Sequence, residues 1–356
     1  MSPLNTFPSG PAAPTQLRLC LSLLVCAFSV LRSLAADLPT GDPEILAPAS
    51  ELELLFDGGF FTESPAVSPT GHVYFSDITF TLSSGMQAGH IWKYDPETGE
   101  TVVFRSPSGM SNGIKFDAEG RLVVAEGADY GGRRVTRTNM RTGKSEIIAG
   151  LYNGVPLNAP NDIVIDEKGR IYFSDPRYLG HEPIYQPVMG VYRIDTDGSI
   201  HRVITDAGKP NGVAISPDQN TLYLVCHDNG TFYGDLIPPD MSPHKGRMAL
   251  LAYDLDDEGN TKFREELVNY APEDGPDGLA VDVDGNLYVA VRDTTRPGIF
   301  VYSPTGEERA YIPTESLPTN VGFGRGDELR TLYITTGGSL YRIHVLKEGY
   351  HLPSSD

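Results

Sequence analysis

Six residues that each carry a side-chain oxygen, Glu63, Asn112, Asn161, Asn211, Asp277 and Asn320, recur along the 356-residue chain at intervals of 43–66 residues. Each opens a stretch with the same apolar alternation. Oxygens of this kind, converging on one point, suit a hard divalent cation. Calcium takes six to eight oxygens from carboxylates, amides and water at about 2.3–2.6 Å and tolerates irregular geometry. Zinc favours His and Cys, and none of the six positions offers either. Asn-Gly and Asp-Gly are also ordinary turn pairs, so Asn112, Asn211 or Asp277 taken singly reads as a turn residue as readily as a ligand. Glu63 is not a turn residue, and it favours the shared site.

The elements that must gather these side chains are read from the stretches they open: 63–77 (ESPAVSPTGHVYFSD), 112–126 (NGIKFDAEGRLVVAE), 161–175 (NDIVIDEKGRIYFSD), 211–225 (NGVAISPDQNTLYLV), 277–291 (DGLAVDVDGNLYVAV) and 320–335 (NVGFGRGDELRTLYIT). In the third, Ile163 and Ile165 alternate with Val164 and Asp166, Glu167-Lys168-Gly169 supplies a turn, and Ile171-Tyr172-Phe173 starts a second strand. Further strand-like runs, such as His90–Tyr94 and Gly190–Ile194, bring each repeat to about four strands. A repeat of this length and period predicts an all-β fold, a six-bladed β-propeller over residues 37–356, with Ile163, Ile165, Val213, Ile215, Leu279 and Val281 in its core. The innermost strand of every blade borders the central channel, so the six oxygen-bearing positions form a ring on the axis. The longest interval contains Asn229–Gly246, rich in Pro and Gly, which reads as a loop over one mouth.

Composition bounds the partners. The chain carries a formal charge of −19, which disfavours nucleic acid and anionic membrane surfaces. Residues 1–36 read as a signal peptide: Arg18 precedes the apolar run Leu19–Leu31, Arg32 ends it, and small residues Ser33, Ala35 and Ala36 follow. The expected destination is the periplasm or the extracellular space, with no membrane contact in the mature form. Cleavage removes Cys20 and Cys26 and leaves Cys226 alone in an apolar strand, as a packing residue rather than a nucleophile. There is no Gly-x-Ser-x-Gly elbow, phosphate loop or dinucleotide fingerprint to support serine-hydrolase, nucleotide or nicotinamide chemistry.

The stretches 111–127 (SNGIKFDAEGRLVVAEG), 157–176 (LNAPNDIVIDEKGRIYFSDP), 210–218 (PNGVAISPD), 276–289 (PDGLAVDVDGNLYV) and 331–343 (TLYITTGGSLYRI), with the run Arg133-Arg134-Val135-Thr136-Arg137, resemble the gluconolactonase, regucalcin (senescence marker protein) and luciferin-regenerating enzyme family over about residues 50–345, bacterial gluconolactonases above all. The resemblance implies a metal held by Glu63, Asn161, Asn211 and Asp277, calcium first, with zinc, manganese or magnesium as other divalent ions. It implies hydrolysis of a small sugar lactone such as glucono-1,5-lactone, with Asp277 as ligand and catalytic base and Asp162 as a weaker candidate base. Asn112 and Asn320 are expected to support the ligands or touch substrate, beside Glu126, Arg177 and Tyr178, while His227 is expected to be structural. Glu126-Gly127-Ala128-Asp129 stands where such enzymes often read Glu-His-Gly. Two other readings remain: a non-catalytic propeller that binds a protein or small ligand around a structural calcium, and hydrolysis of another ester or an organophosphate at the same metal.

Overall fold

The structure, a computed structural model, describes residues 38–178, 180–230 and 245–353. The expected signal peptide and most of the long loop at 229–246 lie outside the described residues. Among those described there is no α-helix, and the strands form six antiparallel sheets of four or five strands plus one small hairpin. Each large sheet is one blade. Their innermost strands are Thr62–Val67, Ser111–Phe116, Ile163–Ile165, Pro210–Ile215, Pro276–Val281 and Pro318–Phe323, and each touches the next around a closed ring. The expected all-β six-bladed propeller is thus observed.

The chain's start closes the ring. Glu53–Phe56 pairs with Ser339–His344 as the outermost strand of the sixth blade, so that blade is built from both ends of the described chain. Thr40–Gly41 adds a fifth strand to the fifth blade, beside Glu308–Pro313. Neither strand carries the repeated hairpin pattern.

The alternation in each repeat has a physical reason: a blade is buried on both faces. Leu222, Leu224 and Cys226 face the third blade, whereas Tyr223 and Val225 on the same strand face the fifth. Each of the six interfaces between neighbouring blades holds one apolar cluster. Ile163, Ile165, Val213, Ile215, Leu279 and Val281 are all buried in these clusters, and Cys226 is a buried free thiol. The hairpin turns are held by short polar side chains: Asp117, Asp166 and Asp282 each accept the backbone N–H four residues on, at 2.8 Å, and Ser216 accepts that of Thr221 at 3.0 Å.

Candidate functional site

Every innermost strand begins on the same side, and there the regular ladder shifts in five of the six blades. Register shifts fall between Glu63 and Ala66, Ser111 and Ile114, Pro210 and Val213, Pro276 and Leu279, and Pro318 and Asn320. In the third blade Asn161 lies just before its strand, Ile163–Ile165. A bulge adds a residue to one strand and re-aims its side chain, and here it does so at the oxygen-bearing position of the repeat. Ser64, next to Glu63, takes a positive φ of 44° in consequence.

The glycines that follow Asn112, Asn211 and Asp277 are not turn residues. Gly113, Gly212 and Gly278 lie within strands, and none needs a positive φ. A Cβ on Gly113 would sit 2.4 Å from the Asn161 carbonyl oxygen, one on Gly212 2.6 Å from that of Asp277, and one on Gly278 2.1 Å from the Asn320 amide carbon. Each glycine therefore lets the next blade's oxygen-bearing residue crowd toward the axis, and the turn-pair reading of these dipeptides is set aside.

Two aspartates fix the approach loops. Asp77 Oδ1 accepts the backbone N–H groups of Phe60 and Phe61, at 2.9 and 2.8 Å, two residues before Glu63. Asp175 accepts those of Asn158 and Ala159, at 2.8 and 2.7 Å, two residues before Asn161. Both end a Tyr-Phe-Ser-Asp stretch, and that repetition was the sequence signal for this role.

The result is a cavity of about 260 Å³ lined by Glu63, Asn112, Asn161, Asn211 and Asp277, with Tyr178, His227 and Arg292 beside them. Phe61, Ile78, Phe80 and Met110 form its apolar wall. All four expected metal ligands thus share one chamber. Glu63 is 3% exposed and Asp277 7%. Burial raises the Glu63 carboxyl well above the ordinary carboxylate range, and repulsion from Asp277 and Asp162 adds to it. Burial also raises Asp277, and Arg292, its Nη1 3.4 Å from Asp277 Oδ2, opposes the shift. Two buried, mutually repelling carboxylates are costly unless a positive charge is supplied.

The amides fit the same demand. Asn112 and Asn161 are buried, and among the described residues no side-chain hydrogen bond ties either to the protein. Asn211 donates through Nδ2 to Tyr178 Oη at 3.2 Å, which leaves its carbonyl oxygen for a ligand. Among the described residues no three His, Cys, Asp or Glu side chains gather closely enough to hold a metal by themselves, so a cation here needs these amide oxygens. An all-oxygen donor set of this kind suits a hard cation.

Other expected residues sort differently. Asn320 does not line the cavity; its Nδ2 donates to Glu63 Oε2 at 3.3 Å and to Ser64 Oγ at 3.0 Å, and its Oδ1 accepts the Val321 N–H, so it orients Glu63. Tyr178 does line it, its hydroxyl donating to the His227 carbonyl at 3.0 Å. Glu126 does not reach the cavity: its carboxylate is taken by Arg134 Nε at 2.7 Å and Thr136 Oγ1 at 3.1 Å, a structural pair within its blade. Arg177 is likewise absent from the wall, with its guanidinium buried against the Asn158 carbonyl and Glu182. Asp162, the weaker base candidate, is also withdrawn, accepting from Ser64 Oγ and the Val213 N–H as a strut between blades. His227 keeps its structural bond, Nδ1 to the Gly275 carbonyl at 3.0 Å, but its ring also lines the cavity. Arg292, the one Lys or Arg in that wall among the described residues, was missed, because at the end of a blade's second strand it carries no motif.

A six-bladed propeller with an oxygen-lined axial cup is a scaffold for binding a small polar molecule. The chain belongs to the SMP-30/gluconolactonase/LRE-like family, whose model matches residues 61–338. It is 29% identical over 301 residues to a gluconolactonase of Zymomonas mobilis, covering 77% of each chain, and 28% identical over 275 residues to the pentonolactonase XacC of Haloferax volcanii, covering 75% of this chain and 81% of that one. Among solved structures, a gluconolactonase from Xanthomonas campestris superposes with a TM-score of 0.72 at 26% identity, over 87% of this chain and 96% of that one.

Proposed function

We propose that this protein is a metal-dependent lactone hydrolase that opens a small sugar lactone such as glucono-1,5-lactone, with one calcium ion held by Glu63, Asn161, Asn211 and Asp277. The observation that carries the reading is the cavity itself, where two buried carboxylates and three amides face one space with little protein to satisfy them. The names of the Zymomonas and Haloferax relatives support the reaction class.

When bound, the cation would offset the two carboxylates and polarise the lactone carbonyl. The chain's own residues supply the rest. Asp277 takes a proton from the attacking water as the water oxygen bonds to the carbonyl carbon, and returns it to the ring oxygen as the ring C–O bond breaks, so that oxygen leaves as a hydroxyl. Asn112 and Tyr178 meet the sugar hydroxyls, and Arg292 faces the carboxylate that hydrolysis produces. Phe61, Phe80 and Met110 cover the apolar face of the ring and keep water from it.

The test is Asp277→Asn, which keeps the size and one oxygen but removes a negative ligand and the base. At saturating calcium, kcat for glucono-1,5-lactone should fall at least about 10³-fold with unchanged circular dichroism, combining a proton-transfer loss of about 10²–10⁴ with weaker polarisation. Wild-type kcat in the folded variant contradicts the assignment and promotes the binding-propeller reading.

A further inference from the structure

The innermost strands end at the opposite mouth of the channel, around a second cavity of about 120 Å³. Its wall is mostly apolar, including Val67, Phe116, Ile165, Ile215 and Val281, and among the described residues contains no Asp or Glu. The C-terminal segment covers it: Tyr350 N–H donates to the Val281 carbonyl at 3.0 Å, and His351 Nε2 lies 2.7 Å from the Gly324 carbonyl oxygen.

Two residues break the repeat here. Where one blade carries Lys115, the others carry Ala66, Val164, Ala214, Ala280 and Gly322. In the sixth blade Gly324 takes the turn position held elsewhere by Ser68, Asp117, Asp166, Ser216 and Asp282, and Arg325 follows it, its Nε reaching back to the Val67 carbonyl at 3.0 Å. Both cations line the cavity, and both depress the protonation of His351. Among the described residues neither forms an ion pair. Lys115 acts on Asp162 at a distance, but that carboxylate already accepts from Ser64 and Val213. In a chain of formal charge −19, two partly buried cations beside an apolar chamber that holds no acid among the described residues form a setting that an anion would complete.

We infer that the channel mouth opposite the lactone site binds a small monocarboxylate, its head between Lys115 and Arg325 and a short acyl chain against the apolar wall. The apolar lining favours such an anion over inorganic phosphate. The site is separate from Asp277 and its neighbours, so the inference stands apart from the lactonase reading.

The experiment is isothermal titration of full-length protein with sodium hexanoate and sodium butyrate against equal ionic strength of chloride, with inorganic phosphate as a further arm. Saturable hexanoate binding is expected, weakened at least about tenfold in Arg325→Gln and in Lys115→Gln and largely retained in Arg325→Lys, with lactone turnover unchanged in all three. Melting in chloride controls for folding: removing an unpaired cation should leave Tm equal or higher in Arg325→Gln. No saturable hexanoate binding, or wild-type affinity in both Gln variants, overturns the inference. Phosphate binding at least as tightly as hexanoate overturns the ligand class. A lower Tm in chloride for Arg325→Gln assigns that residue to packing and overturns its role.

Discussion

Gly212→Ala tests whether the glycines beside the oxygen ring act as spacers. The added Cβ would lie 2.6 Å from the Asp277 carbonyl oxygen, 2.8 Å from Gly278 Cα and 2.9 Å from Leu279 Cδ2. Two of these atoms are backbone of the neighbouring inner strand and cannot rotate away, so relief to ordinary contact needs that strand to move by about 0.8 Å. Overpacking of this kind costs about 1–3 kcal/mol. In a domain this large that lowers Tm by several degrees, at about 2–4 °C per kcal/mol. The moved strand carries Asp277, and a displacement approaching 1 Å at a reacting group can cost about 10²-fold in rate. Gly150→Ala is the control, since the nearest atom to its Cβ is 3.6 Å away and its φ is not positive. Differential scanning calorimetry and steady-state lactone kinetics measure both effects. If Gly212→Ala matches Gly150→Ala in Tm and kcat, the spacer argument fails.

Two further outcomes are expected. Glu126→Gln should cost about 1–3 kcal/mol, because the buried Glu126 carboxylate loses its bonds to the half-exposed Arg134 and to Thr136, while leaving KM within about twofold, by urea unfolding and kinetics; a large KM change would return Glu126 to substrate binding. Burial, with Arg325 and Lys115 nearby, lowers His351 to about 4 from an ordinary 6.5. The unfolded chain therefore takes up that proton first, and the stability that neutral His351 contributes is complete above about pH 6.5 and lost as pH falls toward 4. At most about 3 kcal/mol is involved, so urea unfolding at pH 7 and 4.5 should show a smaller acid loss in His351→Gln than in wild type; equal losses would remove His351 from the account.

The blade count and five positions of the oxygen ring were legible because each repeat carries its own evidence. Strand alternation records burial between two neighbours, and the residue at the bulge recurs in one frame in blades one, two, four and five. The sixth blade's shorter bulge between Pro318 and Asn320 puts Thr319 in that place and moves Asn320 out of the ring. What escaped depended on contacts between repeats. Gly113, Gly212 and Gly278 look like turn residues until the next blade's backbone is placed against them. Glu126 and Arg177 stand at strand ends and loops suited to a site, yet Arg134 and Glu182 claim them, and nothing local in the sequence marks those partners. Arg292 reaches the cavity only because its strand end lies beside Asp277. The closing strand Glu53–Phe56 carries no repeat pattern because only one blade uses it.

The central claim is that Glu63, Asn161, Asn211 and Asp277 hold one catalytic cation, and the most direct measurement is glucono-1,5-lactone hydrolysis by chelator-stripped protein during back-titration with calcium. The account predicts negligible turnover without metal and a linear rise that breaks at one calcium per chain, with no comparable rise in Asp277→Asn. Full turnover in the stripped protein, or calcium binding at one per chain with no hydrolysis of any lactone, would contradict it.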